Sequence, residues 1–124
     1  MDREKILIVD DESSVRLLVS SMMGKDYIVI GANDGEEAID IAHRQEPALI
    51  LMDIMMPKMD GYTACHTIKK DLTTKKIPVV MLTAVGYELN RKLANEVGAD
   101  GYITKPFTLQ ELRETINSFL ENTE

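Results

Sequence analysis

Three unbroken apolar runs, Ile6-Leu7-Ile8-Val9, Leu49-Ile50-Leu51-Met52 and Val79-Val80-Met81-Leu82, constrain this chain most. Successive side chains of a strand point to opposite faces. A strand that is apolar at every position must therefore be covered on both sides, which is the condition of a parallel sheet between two helix layers. Amphipathic stretches separate the runs. Strands are expected near 5–9, 27–32, 48–52, 77–82 and 101–104, and helices near 13–24, 35–45, 61–70, 87–97 and 108–121. Five βα units in succession imply an α/β fold: a doubly wound five-stranded parallel sheet with five helices.

Local punctuation agrees with this division. Asp34-Gly35-Glu36-Glu37 and Thr108-Leu109-Gln110-Glu111 fit a capping box, an acceptor at the cap and Glu three residues on. Phe107 and Leu112 are spaced to staple the last helix. Gly98, after Val97, suits a helix C-terminus, and Pro78 suits a strand start, where a missing donor is tolerated. The polar stretch Lys69 to Lys76 reads as a solvated loop before the fourth strand. There is no repeat, low-complexity tract or linker, so residues 1–124 read as a single domain.

A chain of 124 residues buries roughly two-thirds of its unfolded surface and supports a core unaided. With no Trp, that core must come from Leu, Ile, Val and Met. The net charge of −7 argues against nucleic-acid binding through a broad basic face and suits cations or partners with basic patches. The single cysteine, Cys65, excludes an internal disulfide and reads as a small buried hydrophobe. The start, Met1-Asp2-Arg3-Glu4-Lys5, runs into an apolar stretch too short for a signal peptide or a membrane span. A soluble cytoplasmic protein is expected, with no membrane association.

Polar residues sit where the apolar runs end. Asp10 and Asp11 follow the first expected strand, Asp53 the third, Thr83 the fourth, and Lys105 the fifth. If these runs are parallel neighbours, three carboxylates, a hydroxyl and an ammonium meet at one sheet edge. Ligands of open α/β sheets bind beyond the carboxyl ends of the strands, where the strand order reverses. Two carboxylates about 4 Å apart repel by roughly 4 kcal/mol at an effective dielectric near 20. Three together need a cation or a proton, and Mg²⁺ suits them, being a hard ion completed by water and phosphate oxygens. A carboxylate beside Mg²⁺ is also a nucleophile able to form an aspartyl phosphate. A phosphoryl group carries spread negative charge. Lys105 supplies a point charge for it, Thr83 a hydroxyl donor, and the small Ala84 leaves room for access. Other signals are weak: His43 and His66 have no ligand spacing, Gly31-Ala32-Asn33-Asp34-Gly35 fits no phosphate loop, and there is no GxSxG. The Met-rich loop Met55 to Gly61 reads as partly packed beside the site rather than as a binding surface.

Taken together, Asp10-Asp11, Leu51-Met52-Asp53-Ile54-Met55-Met56-Pro57 with Asp60-Gly61, Leu82-Thr83-Ala84 and Lys105-Pro106-Phe107 resemble the receiver domain of two-component response regulators, over the full chain. The resemblance implies a flavodoxin-like fold with strand order 2-1-3-4-5. It implies Asp53 as phosphoacceptor, Asp11 and Asp53 as direct Mg²⁺ ligands, Asp10 as a ligand mostly through water, and a further ligand from the Met55 backbone carbonyl. It further implies that Thr83 and Lys105 hold the phosphoryl group, that Lys105-Pro106 is cis, and that Tyr102 is the switch aromatic. A histidine kinase or histidine phosphotransfer protein would be the donor. A downstream protein would bind the face made by the fourth helix, fifth strand and fifth helix. Ser14, Val15 and Leu18 on the first helix form a candidate kinase-docking patch. Met55 and Val85, two residues beyond Asp53 and Thr83, would flank the path of hydrolytic water and tune the phosphoryl lifetime.

The expected function is a phosphorylation-dependent switch and not an enzyme; it would promote only its own phosphotransfer and dephosphorylation. One rival is a phosphohydrolase with an aspartate nucleophile, which would need a second acid at the Met55 position. Another is a degenerate receiver serving only as a docking module. Whether the domain acts alone or as a piece of a longer regulator stays open.

Overall fold

The structure, a computed structural model, describes residues 3–84 and 88–120, with the backbone alone for 84 and 88–91. Strand and helix alternate throughout: β1 Lys5–Val9, α1 Ser13–Met23, β2 Ile28–Ala32, α2 Gly35–Gln45, β3 Leu49–Asp53, α3 Gly61–Lys70, β4 Val79–Ala84, α4 Glu88–Glu96, β5 Gly101–Lys105 and α5 Leu109–Leu120. All pairings are parallel and the order is β2-β1-β3-β4-β5. The order reverses between β1 and β3, so their carboxyl ends flank the crevice.

The unbroken apolar runs divide by parity into two cores. Leu7, Val9, Ile50, Met52, Val79 and Met81 face α2, α3 and α4, meeting Ala38, Ile41, Ala64, Cys65, Ile68 and Ala94. Ile6, Ile8, Leu49, Leu51, Val80 and Leu82 face α1 and α5, meeting Val19, Met23, Leu112 and Ile116. The register aligns these layers: Val9 pairs with Met52, Met52 with Met81, and Met81 with Tyr102.

Caps hold the helices at the register the site needs. Thr108 and Glu111 form the expected reciprocal box, with the Glu111 N–H donating to Thr108 Oγ1 at 3.0 Å and the Thr108 N–H donating to Glu111 Oε1 at 2.9 Å. At α2, Asp34 accepts from the Glu37 N–H at 2.9 Å, while Glu37 reaches one residue further back, to the Asn33 N–H at 2.7 Å. Gly98, at φ 88°, closes α4, with the Ala99 N–H donating to Ala94 O and its own N–H to Asn95 O. Phe107 and Leu112 join the same core, as a staple would. Pro78 lies one residue before β4 and its carbonyl accepts from the Ile50 N–H at 2.9 Å.

The stretch from Lys69 to Lys76 departs from the solvated loop expected of it. Thr74 is fully buried and its hydroxyl donates to Ile68 O at 2.8 Å. Lys69 Nζ lies 2.9 Å from both Asp100 Oδ2 and Ile77 O, and Asp100 also accepts from the Val79 N–H at 2.8 Å. This polar tie sets where β4 begins.

Candidate functional site

β1 and β3 end side by side, and their ends carry the acids. Asp10 is fully buried immediately after β1; Asp53 is the last residue of β3 and is also buried. Asp11 is exposed beside them. One carboxylate oxygen from each of Asp10, Asp11 and Asp53 lies within 4.8 Å of the others. Lys105, the last residue of β5, reaches across β4 to both buried acids: its ammonium donates to Asp10 Oδ2 at 3.0 Å and to Asp53 Oδ1 at 3.1 Å. The Lys105-Pro106 bond is cis. Asp10 Oδ1 accepts from the Glu12 N–H at 2.9 Å, so both oxygens of this acid are engaged.

Asp53 is held from behind. The Gly61 N–H donates to Ile54 O at 2.9 Å, and a methyl group on Gly61 would land on the Asp53 carbonyl oxygen. Glycine is required there by close approach of backbone to backbone. Asp60 caps α3, accepting from the Thr63 N–H at 2.8 Å, which keeps this contact in register.

Burial pushes the Asp53 carboxyl up from its ordinary range, and the Asp10 charge pushes the same way; the bond and charge of Lys105 oppose them without cancelling them. Burial draws the Lys105 ammonium down, but its bonds to Asp10 and Asp53 more than offset that, and its pKa is raised. With three carboxylates and one ammonium, the site is thus an anion cluster two positive charges short of balance. A hard divalent ion fits that deficit and that all-oxygen donor set.

Thr83 is buried one residue before the end of β4, where it pairs with Thr104. Ala84 pairs with Lys105 through the backbone. Tyr102 is half-buried against the core facing α2, α3 and α4. Met55 lies just past Asp53 and is 81% exposed. Val85 lies outside the described residues.

The first helix separates its apolar residues. Val19 and Met23 enter the core, while Leu17 and Leu18 are 70% and 46% exposed. Val15 and Leu18 join Lys105, Pro106 and Phe107 around an apolar cavity of about 400 Å³. Ser14 is exposed but does not line it. Leu17, Pro106 and Phe107 were not foreseen as surface elements. The available signal was that α1 carries two more leucines than one buried face requires.

Residues 6–117 match the response regulator receiver domain family. The chain belongs to that family. It is 45% identical over 124 residues to a probable transcriptional regulator, ycf27, of Guillardia theta, a match covering 98% of this chain and 47% of that protein. The chain spans about half the length of the curated relatives it matches. A putative response regulator from Chloroflexus aurantiacus superposes with a TM-score of 0.92 at 34% identity, covering 98% of this chain and all, 100%, of that one. The receiver domain of the sensor histidine kinase PA1611 from Pseudomonas aeruginosa superposes at 0.90 with 29% identity, covering 98% and 100% of the two chains, and has a magnesium ion coordinated in its active site cleft. The receiver domain described here thus has the expected fold and strand order, and serves two-component signalling. Receiver domains are regulators that work with histidine kinases and phosphotransfer proteins, and are not enzymes in the usual sense. Among the described residues no helix is long and apolar enough to cross a membrane.

Proposed function

We propose that residues 1–124 act as one receiver domain whose Asp53 accepts a phosphoryl group from a phosphohistidine on a kinase or phosphotransfer protein. The observation that carries this is the Lys105 ammonium bonded to Asp10 and Asp53 at 3.0 and 3.1 Å, with Asp11 completing the acid cluster. An Asp53 oxygen attacks phosphorus, the P–N bond to the donor imidazole breaks, and the imidazole keeps the electron pair. Asp10, Asp11, Asp53 and the Met55 carbonyl would hold Mg²⁺, which when bound neutralises phosphoryl oxygens. Lys105 binds a second oxygen, and the Thr83 hydroxyl donates to a third. Ala84 leaves the approach open.

Movement of Thr83 toward the phosphoryl group vacates volume that the Tyr102 ring fills. The face of α4, β5 and α5 then changes its affinity for a downstream protein, a local charge event biasing a bistable element. Val15 and Leu18, with Ser14 at the rim, receive the donor protein beside Lys105. Met55 and Val85 offer water no hydrogen bond on the in-line path, which lengthens the phosphoryl lifetime. The reaction belongs in the cytoplasm, where ATP supplies the donor, and involves no nucleic acid contact by this domain.

Acetyl phosphate with Mg²⁺ tests the reading. One acid-labile phosphoryl per chain is expected. Multiple turnover would favour a phosphohydrolase, although this chain has Met55 where such an enzyme needs its second acid, and no incorporation would leave only a docking module.

A further inference from the structure

Hydrogen bonding along β1 stops short of the acid pair. Its last pairings are Val9 with Ala32 on one side and Val9 with Met52 on the other. The Asp10 N–H still finds Ala32 O at 3.1 Å. The Asp10 carbonyl lies beyond the ladder, and Arg16, one turn into α1, takes it up: Nη1 donates to Asp10 O at 2.6 Å. A guanidinium donor at that distance makes a charge-assisted bond, stronger than a neutral one.

The arginine reaches Asp10 over β2. It lines a surface cavity of about 350 Å³ together with Val29 and Gly31. A methyl group on Gly31 would stand 3.2 Å from Arg16 Cδ, so the glycine leaves the lane that the side chain occupies. The carbonyl that Arg16 grips belongs to the planar peptide joining Asp10 to Asp11. Fixing its plane fixes the direction in which the Asp11 Cα leaves, and hence where that exposed carboxylate points. The same grip holds Asp10, whose side chain already accepts from Glu12 N–H and from Lys105.

We propose that Arg16 is a positioning residue: it locks the Asp10–Asp11 peptide and thereby aims both carboxylates at the cation site. The inference rests on the reading of Asp10, Asp11 and Asp53 as that site. Charge and positioning make opposite predictions. A guanidinium near a cation site repels the cation, so if Arg16 acted by charge alone its removal would tighten Mg²⁺ binding. If it positions the acids, removal weakens binding. Loss of an outer-shell partner weakens metal affinity by at least about tenfold.

The experiment measures Mg²⁺ dissociation constants by isothermal titration, and amide exchange of Glu12 in EDTA, for wild type, Arg16→Met, Arg16→Lys and Gly31→Ala. Arg16→Met should bind Mg²⁺ about tenfold more weakly, and its Glu12 amide, freed from Asp10 Oδ1, should exchange faster without metal. Arg16→Lys keeps the charge and should recover only part of the affinity. Gly31→Ala changes no charge and should weaken binding by a smaller factor in the same direction; if Arg16→Met does not fold, the other two variants decide. Wild-type affinity or tighter in the Arg16 variants, with Glu12 exchange unchanged, overturns the inference and leaves the site standing. No Mg²⁺ binding by wild type overturns both.

Discussion

Replacing Asp53 by Asn should stabilise the metal-free protein, although it destroys the proposed phosphoacceptor. A carboxylate pair at the 4.8 Å that bounds the cluster repels by roughly 3.5 kcal/mol at an effective dielectric near 20. Asp53 faces two such neighbours. Its attraction to Lys105 at 3.1 Å is worth roughly 5 kcal/mol on the same scale. Neutralising Asp53 therefore removes roughly 7 kcal/mol of repulsion against roughly 5 of attraction, a net gain of roughly 2 kcal/mol. Asp11 is exposed, which screens its share, and relief from desolvating the Asp53 charge acts in the same direction as the gain. For a domain of this size the gain raises Tm by roughly 5–10 °C. The assay is thermal unfolding at pH 7 in EDTA and in saturating Mg²⁺. Mg²⁺ at one hundred times its dissociation constant should add about 2.7 kcal/mol to wild type and far less to Asp53→Asn or Asp11→Asn. The pH dependence has a definite sign. The folded pKa of Asp53 is raised, so its protonation favours the native state; that contribution is full below the unfolded pKa and is lost as pH rises through the folded one. Metal-free wild type should close its gap to Asp53→Asn as the pH falls from 7. A variant less stable than wild type in EDTA would refute the reasoning, because Lys105 would then outweigh both acids and desolvation.

Gly61→Ala should lower stability by several kcal/mol, since the methyl must displace the Asp53 carbonyl, and urea unfolding measures it. With beryllofluoride as phosphate analogue, the Tyr102 ring should change environment in NMR spectra, and Thr83→Ala should blunt the change; a full response without the hydroxyl would break the proposed coupling. The double change Met55→Asn with Val85→Glu should speed loss of the phosphoryl group by roughly tenfold, since both new side chains can orient water, and an unchanged rate would show that these positions do not set the lifetime.

The sheet was legible because its three inner strands, β1, β3 and β4, carry unbroken apolar runs, a pattern only double-sided burial explains. The site was legible because parallel strands put like ends together, so Asp10, Asp53, Thr83 and Lys105 had to share an edge once strand order was known. Other features obey rules that one-dimensional reading misses. An arginine in a helix looks solvated, and only the tertiary path over Gly31 brings Arg16 to Asp10. Thr74 and Lys69 sit in a charged stretch, yet one is buried and the other paired with Asp100, because the turn folds back under α3. Leu18 could have packed inward by periodicity; Val19 and Met23 fill that face instead, and Leu18 is left for the groove. Element ends shifted by a residue or two, as with β2, which begins at Ile28 while Tyr27 enters the core.

The central claim is that the phosphoryl group resides on Asp53 and nowhere else. Wild type and Asp53→Ala, each incubated with acetyl phosphate and Mg²⁺, are treated with borohydride, which reduces an acyl phosphate to the alcohol, and then digested and mapped by mass. The reduced residue should appear at position 53 in wild type, only when Mg²⁺ is present, and the variant should carry no reduced residue. Reduction at any other aspartate, or a phosphoryl group retained by Asp53→Ala, would contradict the account.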